Sequence, residues 1–398
     1  MELLHGAIRP YPWGSRTAIA ALQGRPSPTS SPEAELWLGA HTAAPAQLDD
    51  GRPLTELITE DPLATLGPDA VERYGQRLPF LLKVLAAEEP LSIQAHPDSE
   101  QAAQGFSRET RENIPLGAPH RSYVDMHHKP ELLCAVSEFE VLCGFRDPAT
   151  SATVIERLNV PELGSLVAIL RQDDHAQALR EAVTMLLTLP AEHRASLVRD
   201  AMAAAEALPA DGPDATDYAM LIDLGGRYPS DAGALVALLL NHLFLQPGEA
   251  IYMPAGNLHA YLRGVGVEIM AASDNVLRGG LTHKHINVPE LLRVLRFEVL
   301  TEPRLAPVEA APGLAQWPVP VPEFQLSRVR LTDEVSEQQL LIDGPVIALC
   351  WSGEVRLDDG ESSITLRSGQ AAFIPASAAK VFATGVGDLY CAGVGAGQ

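Results

Sequence analysis

Gln94 and His96 stand two residues apart in Leu-Ser-Ile-Gln-Ala-His. A strand turns residues two apart to the same face, so an amide oxygen and an imidazole can address one point from there. His128-Lys129-Pro130-Glu131 adds a carboxylate, and Pro130 favours an extended backbone before it. His259 comes much later, from a strand–turn–strand pattern. Two imidazoles, one carboxylate and one amide oxygen suit Zn²⁺, which accepts nitrogen and oxygen ligands. The set carries one negative charge, so a bound zinc stays net positive and acts as a Lewis acid toward a hydroxyl or carbonyl oxygen. Spacing alone leaves rivals open: the adjacent pair His127-His128, and the pair His283-x-His285. Two histidines and one carboxylate also form the facial triad of iron oxygenases. A fourth protein ligand at Gln94 argues against that chemistry, which needs open positions.

Lysine is the second chemical signal. Of 29 basic residues only four are lysine: Lys83, Lys129, Lys284 and Lys380. Arginine serves wherever a solvated charge suffices, whereas lysine offers a compact ammonium with a tunable pKa. A codon bias toward arginine would leave chance survivors, yet three of the four fall in the segments already singled out. Lys83 lies in Leu-Leu-Lys-Val, among apolar neighbours. A buried lysine needs a counter-charge or a task. With Arg278, these residues define a local cationic pocket, which a phosphorylated metabolite requires.

The elements that must position these groups follow from periodicity. A strand over 91–96 puts Ser92, Gln94 and His96 on one face, and Leu91, Ile93 and Ala95 on the other. Leu36–Gly39 and Leu81–Leu85 read as short buried strands. From Pro148 to Leu240 the spacing becomes helical. Leu179, Val183 and Leu186 form one stripe; Val198, Ala201, Met202, Ala205 and Leu208 form another. Pro161, Pro190 and Pro209 punctuate the run, and Asp231 is a candidate N-cap. Strands return from Leu243, residues 288–299 read as helix, and the tail from about Leu340 reads as β with turns at Ser352-Gly353, Asp359-Gly360 and Ser368-Gly369.

Pro247–Tyr261 can be laid on Ser368–Phe382 without a gap, matching Gly248 to Gly369, Ala250 to Ala371 and Pro254 to Pro375. His259 then meets Lys380, so a second unit would lack the metal histidine. The predicted fold is mainly β with a helical insert. A cupin (jelly-roll) catalytic domain spans 1–147 and 241–300, an α-helical domain 148–240, and a second cupin-like β domain without metal 301–398.

Composition bounds the function. At 398 residues two or three domains are expected. The 51 acidic residues give a net charge of −22, which disfavours nucleic-acid binding. No apolar run is long enough to span a bilayer, and Met1–Pro10 lacks the features of a signal peptide. Four cysteines without a C-x-x-C pair read as free buried thiols in a reducing compartment, which predicts a cytoplasmic protein.

Several motifs agree in order and spacing with one family: Tyr-Pro-Trp-Gly at 11–14, Glu-Leu-Trp-Leu-Gly at 35–39, Leu-Pro-Phe-Leu-Leu-Lys-Val-Leu at 78–85, Leu-Ser-Ile-Gln-Ala-His-Pro-Asp at 91–98, His-Lys-Pro-Glu-Leu at 128–132, and Gly266–Lys284. The chain resembles the type I mannose-6-phosphate isomerases (phosphomannose isomerases), well over residues 1–295 and loosely in the tail. The resemblance implies one Zn²⁺ held by Gln94, His96, Glu131 and His259. It implies interconversion of mannose 6-phosphate and fructose 6-phosphate through a cis-enediol. Around the pocket it places Trp13, Lys83, Lys129, Tyr261, Glu268, Asp274, Arg278 and Lys284. Arg278 is then the first candidate to stabilise the enediolate, followed by Lys129 and Asp274, with Glu268 a candidate base. Lys83, Lys284 and Arg278 are candidates to share the phosphate; Trp13, Tyr261 and Ser92 complete the expected substrate contacts. Thr282-His283-Lys284 departs from the more common Thr-Pro-Lys. The expected partner is a hexose 6-phosphate, with no nucleic acid, no membrane and no obligate protein partner, the chain acting as a monomer. A metal- and sugar-phosphate-binding bicupin without catalysis is the alternative, beside the oxygenase.

Overall fold

The computed structural model describes residues 1–395, so the last three residues of the expected C-terminal domain lie outside it. Two antiparallel sheet systems dominate. The first orders its strands Arg304–Leu305, Ala250–Met253, Glu131–Ala135, His259–Ala271, Phe80–Ala87, Glu35–Leu38 and Ala7–Arg9. His259–Ala271 is long enough to serve two layers. Its later half pairs with Phe80–Ala87 and Glu131–Ala135; its first residues pair with Phe139–Phe145 and with Gln94 of Ile93–Ala95. Leu277–Gly280 and Leu240–Leu245 extend that second layer.

Phe80–Ala87 shows how alternation builds the site. Every residue of it is buried. Phe80, Leu82, Val84 and Ala86 point into a core shared with the C-terminal sheet. Period two therefore turns Lys83 to the opposite face, with Leu81 and Leu85. Each fully buried Leu or Val contributes roughly 1.5–3 kcal/mol, which sets this register firmly against a one-residue slip.

The second sheet runs Val308–Ala311, Leu314–Trp317, Gln325–Leu331, Phe382–Gly393, Val346–Asp358, Ala371–Ile374, Glu2–His5 and Gln47–Leu48. Its pairing mirrors the first. Ala250–Met253 and His259–Ala271 flank Glu131–Ala135, as Ala371–Ile374 and Phe382–Gly393 flank Val346–Asp358. Met253 lies opposite Glu131, and Ile374 lies opposite Val346. Gly248 and Gly369 both take positive φ before the corresponding strands, +94° and +78°. Val346 thus stands at the register position that Glu131 holds in the first sheet.

Two strands pair across the expected domain boundaries. Glu2–His5 pairs with Ala371–Ile374, so the first strand belongs to the C-terminal sheet and covers its edge. Arg304–Leu305 pairs with Ala250–Met253, so the catalytic sheet continues past residue 300.

Residues 148–239 form helices, the longer ones being Pro148–Arg157, His175–Thr188, Ala191–Glu206 and Ala215–Arg227. Leu179, Val183, Leu186, Val198 and Ala201 are buried in one core with Ile93, Ala95 and Leu142 of the second layer. Asp147 and Asp174 cap their helices through Thr150 N and Gln177 N. Asp231 accepts from Gly233 N, one position off the formal cap.

Three other expectations are revised. The helix at 288 ends at Val294, and Leu295 is already extended. At Ser352-Gly353 the strand continues through a bulge instead of turning. Helices at Leu54–Glu60, Pro62–Leu66, Pro68–Tyr74 and Ser99–Arg111 were not anticipated. The first three are too short for a periodic stripe to show, whereas the last carried a readable capping box, Asp98 with Gln101.

Candidate metal centre and substrate pocket

Strand register delivers the ligand atoms. His259 lies directly opposite Gln94, and Glu131 opposite Met270 on the same long strand. His96 follows Ile93–Ala95 immediately. His96, Glu131 and His259 are all buried, at 1%, 2% and 0% exposure. His96 Nε2 lies 3.4 Å from Glu131 Oε1, and His259 Nε2 lies 3.2 Å from Glu131 Oε2.

Each imidazole gives its other nitrogen to a backbone carbonyl: His96 Nδ1–H to Asn275 O at 2.7 Å, His259 Nδ1–H to Asn257 O at 3.1 Å. A carbonyl only accepts, so Nδ1 carries the proton and Nε2 keeps its lone pair. Both Nε2 atoms and Glu131 Oε2 are buried without a hydrogen-bond partner. Orphaned buried acceptors cost roughly 1–3 kcal/mol each, unless something replaces the missing donor. Converging lone pairs with one carboxylate fit a divalent cation, zinc first among them. Burial pushes His96 down to about 4 against the pull of Glu131, so the ring is neutral and ready to ligate. Burial works to raise Glu131, but Lys129 and the imidazoles outweigh it and hold the carboxyl well below its ordinary value. Lys129 Nζ sits 3.0 Å from Glu131 Oε1. Among the described residues this is the one such grouping of three or more His, Cys, Asp or Glu side chains. His127 and His128 bond Arg77 and Glu323 instead, and His283 stands against the Tyr228 ring.

The centre opens into a cavity of about 460 Å³. Gln94, Lys129 and Glu131 line its floor; Lys83 and Glu268 come from the inner sheet. Trp13, Ser92 and Tyr261 supply wall, and Asp274, Arg278 and Lys284 lie on the segment after the long strand. The sequence-derived candidates therefore converge on the metal centre and this cavity, but their charges are balanced differently.

Lys83 and Glu268 face each other in register, Nζ to Oε2 at 3.2 Å. Glu35 Oε1 is 3.5 Å from the same ammonium. Glu35 Oε2 accepts from Trp37 Nε1 at 2.7 Å, and Glu268 Oε1 from Tyr261 O–H at 2.8 Å. Burial works to lower Lys83, but Glu35 and then Glu268 raise it above the ordinary lysine value. Two carboxylates thus compensate the charge of Lys83. Burial raises Glu268, against the opposing pull of Lys83.

Arg278 and Lys284 are different: neither has a carboxylate within ion-pair distance among the described residues. Burial lowers both, and Arg278 lowers Lys284 further. Two neighbouring cations without a counter-ion leave this side of the cavity positive. Asp274 is held by His41, Oδ2 to Nε2 at 3.0 Å. Burial works to raise Asp274, and the bond to His41 outweighs it.

Glu35, Trp37, His41, Asp125 and Asn275 were not singled out from sequence. For Glu35 and Trp37 the signal was present, an acid and an indole two apart on a strand neighbouring that of Lys83. For His41, Asp125 and Asn275 nothing local distinguished them from turn residues. The four cysteines are free and buried, and among the described residues no helix is long and apolar enough to cross a membrane.

Residues 1–148 match the family described as phosphomannose isomerase type I, catalytic domain. The chain is 35% identical to the mannose-6-phosphate isomerase of Escherichia coli (strain K12) over 401 residues, 98% of each chain. It is 32% identical to that of Homo sapiens over 407 residues, covering 93% of this chain and 92% of the human protein. A zinc-bound mannose 6-phosphate isomerase superimposes with a TM-score of 0.90 at 35% identity, over 99% of both chains. The Salmonella typhimurium enzyme bound to substrate and a zinc atom gives the same score, identity and coverage.

Proposed function

The chain belongs to the type I phosphomannose isomerases, and on that footing we propose that it is a zinc-dependent isomerase interconverting mannose 6-phosphate and fructose 6-phosphate. One observation carries the reading: the orphaned lone pairs of His96 and His259 converge on Glu131, which lines a cavity that also holds two uncompensated cations, Arg278 and Lys284. A hexose 6-phosphate needs both, a polarising centre for its carbonyl end and positive charge for its phosphate.

Gln94, His96, Glu131 and His259 hold the zinc in this reading. When bound, zinc supplies Lewis-acid polarisation of the sugar oxygens. Lys129 keeps Glu131 ionised for that purpose. Glu268 moves the proton between C2 and C1: it lines the cavity beside the metal centre, and burial raises its carboxyl above the ordinary value. Lys83 and Tyr261 fix the two oxygens of Glu268 and keep its charge balanced as the proton comes and goes. Arg278, in register opposite Gln94, faces the enediolate charge, and Lys284 takes the phosphate. Trp13 and Ser92 complete the sugar contacts, and Asp274, held by His41, orients a hydroxyl. At the level of architecture, each sheet system is a cupin-type unit, residues 148–240 are a helical insert, and the C-terminal unit has lost its metal set.

A coupled assay for fructose 6-phosphate formed from mannose 6-phosphate tests this. Activity should vanish with a chelator and return with zinc. Undiminished turnover by verified metal-free protein, or saturable sugar-phosphate binding with no isomer exchange, would refute it.

A further inference from the structure

Asn275 is completely buried and belongs to no strand or helix. Its backbone carbonyl is the acceptor that fixes the His96 tautomer. Its side chain reaches into the 124–127 turn. Oδ1 accepts from Val124 N at 2.8 Å and Asp125 N at 3.2 Å. Nδ2 shares its two hydrogens among Asp125 O at 3.0 Å, Asp125 Oδ1 at 3.1 Å and His127 O at 2.8 Å. Asp125 returns the grip. Its carboxylate accepts from Asp274 N at 2.8 Å, from His127 N at 2.9 Å and from Ser273 Oγ at 2.9 and 3.1 Å. A polar network satisfied in this way around the buried Asn275 amide rigidifies what it joins.

What it joins is the reaction machinery. The turn at 124–127 leads directly to Lys129 and Glu131; the segment at 273–275 leads to Arg278 and Lys284. We propose that Asn275 and Asp125 are positioning residues for the metal centre: together they register the Glu131 segment on the Arg278 segment, while the Asn275 carbonyl aims His96. This rests on the zinc reading above. Strand pairing places Glu131 opposite Met270 and Arg278 opposite Gln94, but it leaves out residues 272–276, which carry the His96 acceptor, and the turn before Lys129. Beyond that pairing, the described hydrogen bonds that tie 124–127 to 273–275 all run through Asn275, Asp125 and Ser273.

Two variants test the proposal, Asn275→Asp and Asp125→Asn. The first keeps shape and acceptor but sets an oxygen against three oxygens; the second keeps shape and removes the charge. Zinc dissociation constants are measured by competition with a chromogenic chelator, alongside far-UV circular dichroism, melting temperature, and kcat and KM at saturating zinc. Loss of an outer partner of a metal ligand typically costs about 10- to 100-fold in metal affinity or activity. We expect a rise of that size for Asn275→Asp, a smaller one for Asp125→Asn, and a fall in kcat exceeding any change in KM. If the first variant fails to fold, the second decides. A lowered melting temperature with zinc affinity and kcat within twofold of the parent would mean a purely structural clasp and overturn the proposal. A parent protein that fails to bind zinc would overturn the metal reading, and this inference with it.

Discussion

At the residue scale the pocket separates cations that are spent from cations that are free. Lys83 is bracketed by Glu35 and Glu268, and Lys129 is paired with Glu131. Arg278 and Lys284 have no carboxylate within ion-pair distance among the described residues. Lys284→Ala should therefore raise KM for mannose 6-phosphate by at least tenfold with a lesser effect on kcat, as expected when binding shared by ground and transition state is lost. Arg278→Ala should retain zinc and lose most turnover; metal analysis and steady-state kinetics check both, and a near-parental kcat would remove Arg278 from catalysis. Glu35→Gln should preserve zinc content yet lower kcat, because the Lys83 ammonium then leans on Glu268 alone. Equal kcat in that variant would mean that the bracket is only structural. Residue type and alternation turned Gln94 and His96 to one face, while the full set with Glu131 and His259 came from the family resemblance, because spacing alone left rival histidines open. The bracket around Lys83 was not legible, since it depends on which strand lies beside which.

At the element scale, the helical segment is tied to the catalytic sheets by more than apolar packing. His242, on Leu240–Leu245, has Nε2 2.9 Å from Glu140 Oε1 and Nδ1 3.3 Å from Asp217 Oδ1. Asp217 belongs to Ala215–Arg227, and Arg146 also holds it at 2.8 Å. Burial works to lower His242, but the bonds to Asp217 and Glu140 outweigh it and raise it above 6.5. A raised histidine contributes stability that is complete below the unfolded value and is lost as pH climbs through the folded one. Urea midpoints should therefore fall from about pH 6.5 upward, where an unperturbed histidine titrates. His242→Gln should flatten that slope; an unchanged slope would show that the tie carries no titrating charge. The stripes of Leu179, Val183 and Leu186 made the helices readable. The short helices at 54–74 escaped because fewer than two turns cannot show a period.

At the scale of the whole molecule, the C-terminal sheet is a packing partner of the catalytic sheet. Phe80, Leu82 and Val84 share one core with Ile347, Phe373 and Tyr390. Glu2–His5 crosses to the C-terminal sheet, so the chain is laced through both. A chain ended at residue 300 should consequently fail to give soluble folded protein, judged by expression and limited proteolysis. The full chain should lose both sheets in one cooperative urea transition. A soluble, zinc-binding fragment would show that the shared core is dispensable.

The sequence by itself determined the alternation that turns Gln94 and His96 together, and the helical stripes. These are local properties, written in residue type and in periods of two and 3.6. Only the tertiary structure decided that His96 and His259 present Nε2, that Lys83 is compensated while Arg278 and Lys284 are not, and that Asn275 and Asp125 clasp two segments far apart in the chain. Those outcomes depend on strand register and on which charges close upon each other. Both are fixed by burial across long sequence separations, which no local pattern encodes.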